Sequence, residues 1–175
     1  MINVTLPDGS QRQYEDGASP ADVAESISKS LAKAALAAKV NGEMYDLNRP
    51  LEGDAEVAIV TAKDEDGLDL IRHDAAHVLA QAVQELYPDT QVTIGPVIDD
   101  GFYYDFARET PFSTEDFERI EKKMEEIIDK DYPITREVWS KDEAIETFKK
   151  IGEDYKAQII DDIIPPGEAI TVYRQ

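Results

Sequence analysis

The chain has 175 residues, room for one or two ordinary domains, and 42% of them are hydrophobic, enough to bury a real core and to exclude wholesale disorder. Thirty-eight acidic side chains stand against 18 basic ones, a net charge of −20, which excludes a generally basic coat for nucleic acid. Any RNA contact must therefore come from a local patch working against an acidic background. With no cysteine there is no disulfide framework, no thiol nucleophile and no cysteine-ligated metal. Apolar runs such as Ala34–Ala38 fall far short of the ~18 residues a membrane helix needs. Met1–Gly9 lacks the basic start and apolar core of a signal peptide. A soluble intracellular chain, or a piece of one, is expected.

Residues 1–62 read as a small α+β unit. Ile2, Val4 and Leu6 alternate with polar residues as in a half-buried strand, and Pro7-Asp8-Gly9-Ser10 supplies a turn that lets Gln11–Glu15 return as a hairpin. Ser19-Pro20-Ala21-Asp22 is a helix start, with a capping hydroxyl, a proline where the missing N–H costs nothing, and a carboxylate three residues after the cap. Val23, Ile27, Leu31 and Ala34 or Ala35 continue at helical spacing and predict one helix facing the hairpin. Short β-like pieces follow at 37–40, 44–46 and 56–61, broken by Asn41-Gly42 and Leu51-Glu52-Gly53-Asp54. Hairpin, helix, then short strands is the order of a ubiquitin-like β-grasp.

Lys63-Asp-Glu-Asp-Gly67 reads as a charged hinge and domain boundary, so that 63–175 forms a second α+β unit. Residues 68–87 carry the strongest helical signal, ended by Pro88. Strands are expected at 92–94 and 102–106, with turns at Gly95-Pro96 and Asp99-Asp100-Gly101. Ser113 or Thr114 caps a helix through Lys130, with Phe117, Ile120, Met124 and Ile127 or Ile128 on its apolar face. A strand at 134–139, a helix from the Ser140 cap to Ile151, a turn at Pro165-Pro166-Gly167 and a last strand at 169–173 complete the reading.

The only two histidines, His73 and His77, are four residues apart on the 68–87 helix, about 40° from each other on one face. The apolar stripe Ile71, Ala75, Val78, Ala82 and Leu86 is centred about 160° away, and Ala76 and Ala80 on the histidine side leave space above the rings. Spacing leaves three readings open. The pair is a chance occurrence on a surface. Or it is half of a metal site, since His-x-x-x-His is a zinc-helix spacing, although no third histidine or cysteine exists to complete it. Or it moves protons and holds a substrate hydroxyl, because imidazole titrates near neutrality.

Wording then adds to spacing. Arg72-His-Asp-Ala-Ala-His-Val-Leu-Ala-Gln-Ala82 and Ile94-Gly-Pro-Val-Ile-Asp-Asp-Gly-Phe-Tyr-Tyr-Asp105 closely resemble the amino-terminal region of the threonyl-tRNA synthetase family of bacteria. By that resemblance residues 1–62 are a TGS-like β-grasp domain, and 63–175 are the amino-terminal part of an editing domain that is incomplete at its C-terminus. The family's editing domain hydrolyses threonine tRNA mischarged with serine. Serine lacks only a methyl group, which distinguishes substrates by only about 1–3 kcal/mol, so a second, hydrolytic sieve is needed.

The resemblance implies roles residue by residue. His73 and His77 match the family's His-x-x-x-His helix. Tyr104, which alone would read as a packing aromatic, matches a residue that lines the pocket. Lys156, in Gly152-Glu-Asp-Tyr-Lys156 and otherwise a surface ammonium, matches a lysine implicated in serine recognition and hydrolysis. His73, His77 and Lys156 are thus the expected catalytic residues and Tyr104 the substrate-binding one. The family's later Cys-x-x-x-His segment has no counterpart here, so the chain alone is expected to be incomplete or inactive. No cofactor or metal is expected in this chain; zinc and ATP belong to the family's aminoacylation domain.

Expected partners are the tRNA(Thr) 3′ end carrying a misattached serine and the remainder of the synthetase. The full enzyme would form a homodimer through other domains, in the cytoplasm and without membrane contact. Basic candidates for RNA are Lys122, Lys123, Lys149, Lys150, Lys156 and Arg174, all interleaved with acids. Two other readings stay open: a zinc-dependent, alanyl-type trans-editing hydrolase, and a non-catalytic interaction module built on a TGS-like domain.

Overall fold

A computed structural model describes residues 1–174. It divides into two compact units, Met1–Arg72 and His73–Gln175. In the first, β1 (Ile2–Thr5) and β2 (Gln11–Tyr14) form the hairpin, α1 (Pro20–Ile27) and α2 (Lys29–Ala34) follow, and β3 (Ala35–Val40), β4 (Glu43–Tyr45) and β5 (Ala55–Thr61) complete one sheet. Its order is β2-β1-β5-β3-β4, with β1 and β5 parallel and the other pairs antiparallel. That is the β-grasp arrangement, and the α+β class holds for the chain as a whole. Ile2, Val4, Leu6, Val23, Ala38, Leu51 and Val57 close the core. The alternation in β1 thus delivers one apolar face to α1.

The start of α1 follows the sequence closely. Ser19 N–H and Oγ donate to the Asp22 carboxylate at 2.7 and 2.8 Å, and Asp22 N–H returns to Ser19 Oγ at 3.4 Å. Those donors hold the Asp22 carboxyl below its ordinary range, the backbone N–H first. The expected single helix is broken, however. Ser28 adopts φ −167° and ψ 150°, ends α1, and caps α2 by accepting from Leu31 N–H at 3.1 Å. A serine that satisfies a new set of N–H groups competes with helix continuation.

The charged stretch 63–67 is not a free hinge. Asp64 accepts from Thr61 N–H at 2.7 Å and from its hydroxyl at 2.9 Å, and Glu65-Asp66 form the acidic first turn of α3 (Glu65–Leu86). Asp66 pairs with Lys39 of β3 at 2.6 Å. The division between the units accordingly falls inside α3, between Arg72 and His73.

In the second unit the segment 91–107 is one narrow antiparallel ribbon. β6 (Gln91–Val92) pairs with β9 (Phe106–Ala107), and β7 (Val97–Ile98) pairs with β8 (Gly101–Phe102) inside it. The strand expected at 102–106 is therefore interrupted at Tyr103-Tyr104-Asp105, and β7 went unforeseen. Next come α4 (Thr114–Asp129), β10 (Thr135–Ser140), α5 (Lys141–Lys150), α6 (Asp154–Ile163) and β11 (Ala169–Arg174), with β10 and β11 antiparallel. A core of Ala82, Val83, Ile120 and Ile127 joins α3 to α4. Of Ile127 and Ile128, the alternatives for the apolar face of α4, Ile127 is the buried one, whereas Phe117, expected on the same face, is 55% exposed.

Helix α6 was not anticipated. Gly152 takes φ +81° just after α5, a left-handed turn that glycine allows, and the chain re-enters a helix at once. Only Ala157 of α6 is buried, while Ile159 and Ile163 are exposed, so an apolar stripe never announced it.

Gly67 offers a direct test of the first unit's packing. A Cβ at Gly67 would overlap the Thr61 carbonyl oxygen, whereas one at Gly53 would meet nothing. Gly67→Ala should destabilise the protein by more than about 1 kcal/mol, and Gly53→Ala should stay within about 0.5 kcal/mol. Denaturant unfolding of the two variants beside the parent chain checks both.

Candidate active site

Helix α3 displays His73 and His77 one turn apart, and the two rings touch. Nε2 of His77 lies 3.0 Å from Nε2 of His73, with centroids 4.6 Å apart and ring planes at 81°. One Nε2–H donates and the other Nε2 accepts, so the contact needs one of the two nitrogens free of a proton. Both rings remain exposed. Even so, the protein atoms around His77 thin its hydration. That desolvation, then the like charges of His73 and Lys156, hold its imidazole below the ordinary range, with Asp74 opposing. Asp74 itself is pushed up, by desolvation first, against the pull of both histidines.

The packed face of α3 differs from the expected stripe. Ala76, Ala80, Ala82 and Val83 are the buried apolar residues of α3, and Ile71 is 42% exposed. The buried arc is thus centred about 100° from the histidines rather than 160°, and they flank it. Ala76 and Ala80 are 2% and 7% exposed, so the alanine side is filled and not open. Nor do the imidazoles line either of two concavities in this unit. One, of about 570 Å³, includes Trp139, Lys141 and Asp161; the other, of about 280 Å³, includes Leu86, Arg119 and Lys122.

Lys156 sits on the first turn of α6, its ammonium 5.7 Å from the Phe148 ring centre, and its charge reaches His77. Tyr104 stacks on Phe106 at 4.9 Å between centroids. Burial and then the charge of Glu153 raise its phenol above the ordinary range. Asp105 N–H donates to the Ile94 carbonyl at 2.9 Å, which sets Gly95 opposite Tyr104 in the ribbon, and a Cβ at Gly95 would collide with that ring. The two halves of the Ile94–Asp105 motif are therefore one construction, a glycine cleared for an aromatic.

Glu153, at the start of α6, is the site residue that sequence reasoning missed. It is 8% exposed; its Oε1 accepts from Gln84 Nε2 of α3, and its Oε2 is buried with no hydrogen-bond partner. Gln84 lies on the histidine stripe, two turns past His77. The Gln84–Glu153 hydrogen bond ties the start of α6 to α3, and the charge of Lys156 is felt at His77. Nothing in the local pattern marks a glutamate for burial.

Several of the basic RNA candidates are paired with acids. Lys123 meets Glu126 at 2.9 Å and Glu85 at 3.7 Å, Lys150 meets Glu146 at 2.8 Å, and Arg174 meets Glu137 at 3.3 Å. Among the described residues, no group of three or more His, Cys, Asp or Glu is placed to hold a metal ion, and no helix is long and apolar enough to cross a membrane.

A β-grasp sheet over residues 2–61 that matches the TGS domain family makes this a TGS-domain chain. The relatives narrow that class, because the match extends through the histidine helix to the end of the chain. Threonine–tRNA ligase of Hyphomonas neptunium is 80% identical over all 175 residues, that of Maricaulis maris 64% and that of Thiobacillus denitrificans 63%. The chain belongs to the amino-terminal region of the threonine–tRNA ligase family. It covers all of itself but only 27%, 27% and 28% of those three relatives, about a quarter of the length of the curated relatives it matches.

The imidazole pair carries a pH signature. His77 has its folded pKa below the ordinary 6.5, so the unfolded chain takes up the proton first. Its contribution to stability is complete above about pH 6.5 and is lost as the pH falls through that value. Titration of the ring protons by NMR should give a His77 midpoint under 6.5. His73→Ala should raise it; an unmoved midpoint would uncouple the two rings.

Proposed function

We propose that the second unit is the amino-terminal part of an editing pocket that hydrolyses seryl-tRNA(Thr). The observation that carries this reading is the 3.0 Å imidazole contact beside the Lys156 charge. Ester hydrolysis at a tRNA 3′ end needs three things: a positioned water, an acceptor for its proton, and a positive or donating group for the developing oxyanion. An imidazole nitrogen without a proton has a lone pair to accept it. An ammonium and a phenol supply donors.

In this scheme His73 or Lys156 organises the water, and His77 and Tyr104 hold the ribose or the aminoacyl group. Water oxygen bonds to the ester carbonyl carbon while its proton passes to the unprotonated nitrogen of the imidazole pair. The bond from that carbon to the ribose oxygen then breaks, and the ribose oxygen regains a proton. Serine and uncharged tRNA leave. Partners under the same reading are the tRNA acceptor end and the remainder of the synthetase. Binding of tRNA by this acidic chain alone should be weak and steeply salt-dependent.

The test places this chain in the Hyphomonas neptunium enzyme in exchange for the corresponding region. His73→Ala with His77→Ala should slow deacylation of seryl-tRNA(Thr) by about a hundredfold or more while threonylation continues. Undiminished deacylation would remove the histidines from the mechanism. Gly95→Ala in the same chimera should also slow deacylation, by displacing Tyr104, with the change seen independently in the near-ultraviolet circular dichroism of the isolated chain.

A further inference from the structure

We infer that Glu153 is the subsite for the α-ammonium of the aminoacyl group. This rests on the editing reading above and adds a residue and a ligand atom to it. The carboxyl is more than nine-tenths buried, and only one of its oxygens is satisfied, by the Gln84 amide. A buried carboxylate oxygen without a donor is costly, and such a group in a native structure signals a missing partner. Among the described residues no lysine, arginine or histidine forms an ion pair with it. Lys156, three residues on, holds its ammonium 5.7 Å from the Phe148 ring centre instead.

The chemistry of the substrate supplies what this oxygen lacks. An aminoacyl ester carries one cationic group, the α-ammonium, close to the carbonyl that is attacked. Peptidyl, formyl or hydroxy-acid esters have none. Gln84 stands two helical turns from His77, about 10 Å along α3, and side chains that converge from α3 and α6 shorten that gap. A ribose held at the imidazoles would direct the aminoacyl group along α3, past Lys156, toward Glu153. Tyr104, whose phenol responds to the Glu153 charge, flanks the same path. Serine and threonine both carry the ammonium, so Glu153 would separate aminoacyl from other esters and leave the one-methyl discrimination to other groups.

The probe is a non-hydrolysable adenosine carrying serine in amide linkage at the 3′ position, compared with its N-acetyl and its α-hydroxy counterparts. Binding is read by calorimetry in the chimera described above, which supplies the rest of the pocket and serves with the unaltered sequence of this region as the parent chain. The parent chain should prefer the free amine by about tenfold to a hundredfold, the range for a hydrogen bond to a charged group. Glu153→Gln, which keeps the shape and an acceptor for Gln84, should abolish that preference while the neutral analogues bind as before. A preference that survives Glu153→Gln overturns the assignment and leaves the editing reading standing. A parent chain that binds amine and neutral analogues equally overturns it as well, without relying on any variant folding. If the parent chain binds none of the three, the pocket reading fails and takes this subsite with it.

Discussion

The hydrogen bond from Gln84 to Glu153 is the constraint on which the arrangement of the second unit's functional groups depends. Through it the start of α6 is tied to α3, and because 153 and 156 are three residues apart they share a helix face. Lys156 then reaches His77 as a consequence and not as a separate arrangement. Ala76 and Ala80, both buried on the flank of the histidine stripe, make that side of α3 low and allow protein atoms to come close. Larger residues there would lift whatever covers the stripe and lengthen the reach from α6 to the imidazoles.

Charge works against background in this region. The chain carries −20 overall, a field that raises the affinity of every imidazole for protons and repels phosphates. Yet His77 is held down, because local desolvation and two nearby cationic groups outweigh the single adjacent carboxylate, Asp74. Asp74 is in turn pushed up by the crowding it shares. Elsewhere the chain spends its lysines on neighbouring acids, at Glu126, Glu85 and Glu146. Such exposed pairs add little stability, but they keep those ammonium groups from summing into a patch. The positive character near His77 is thus local.

The first unit was largely legible because each of its decisions is made by residues close in sequence. Ser19, Pro20 and Asp22 start α1 by contacts within four residues, and Gly9 takes φ +82° in the hairpin turn that Pro7-Asp8-Gly9 announces. The exception, the break at Ser28, is also local, but a capping serine inside an apolar stripe leaves the periodicity intact and is invisible to it. In the second unit the informative interactions are long-range. Ala82 and Val83, part of the buried arc of α3, pack with Ile120 and Ile127 of α4, which no stripe on α3 alone could reveal. Burial of Glu153 depends on an amide 69 residues away. The imidazole pair was readable as geometry, since four residues on a helix fix the approach; its coupling to Lys156 came only through the resemblance.

The ribbon at 91–107 shows how a motif can carry structure and site together. Its inner pairing, Val97 with Phe102, and its outer pairing, Val92 with Phe106, differ in register by one residue. The shift is taken up around Thr93 and Ile94, where Thr93 N–H and Asp105 N–H bond across to Asp105 and Ile94 carbonyls. A one-residue slip exchanges the faces that side chains occupy. Without it, Tyr104 and Phe106 would still alternate correctly with each other, but Gly95 would not lie across from Tyr104. With it, the ring finds the one position in the opposing strand that lacks a side chain, lies flat on Phe106, and reaches the neighbourhood of Glu153. The glycine at 95, the slip and the tyrosine at 104 are therefore one device, and a change at any of the three moves the phenol away from the carboxyl that tunes it.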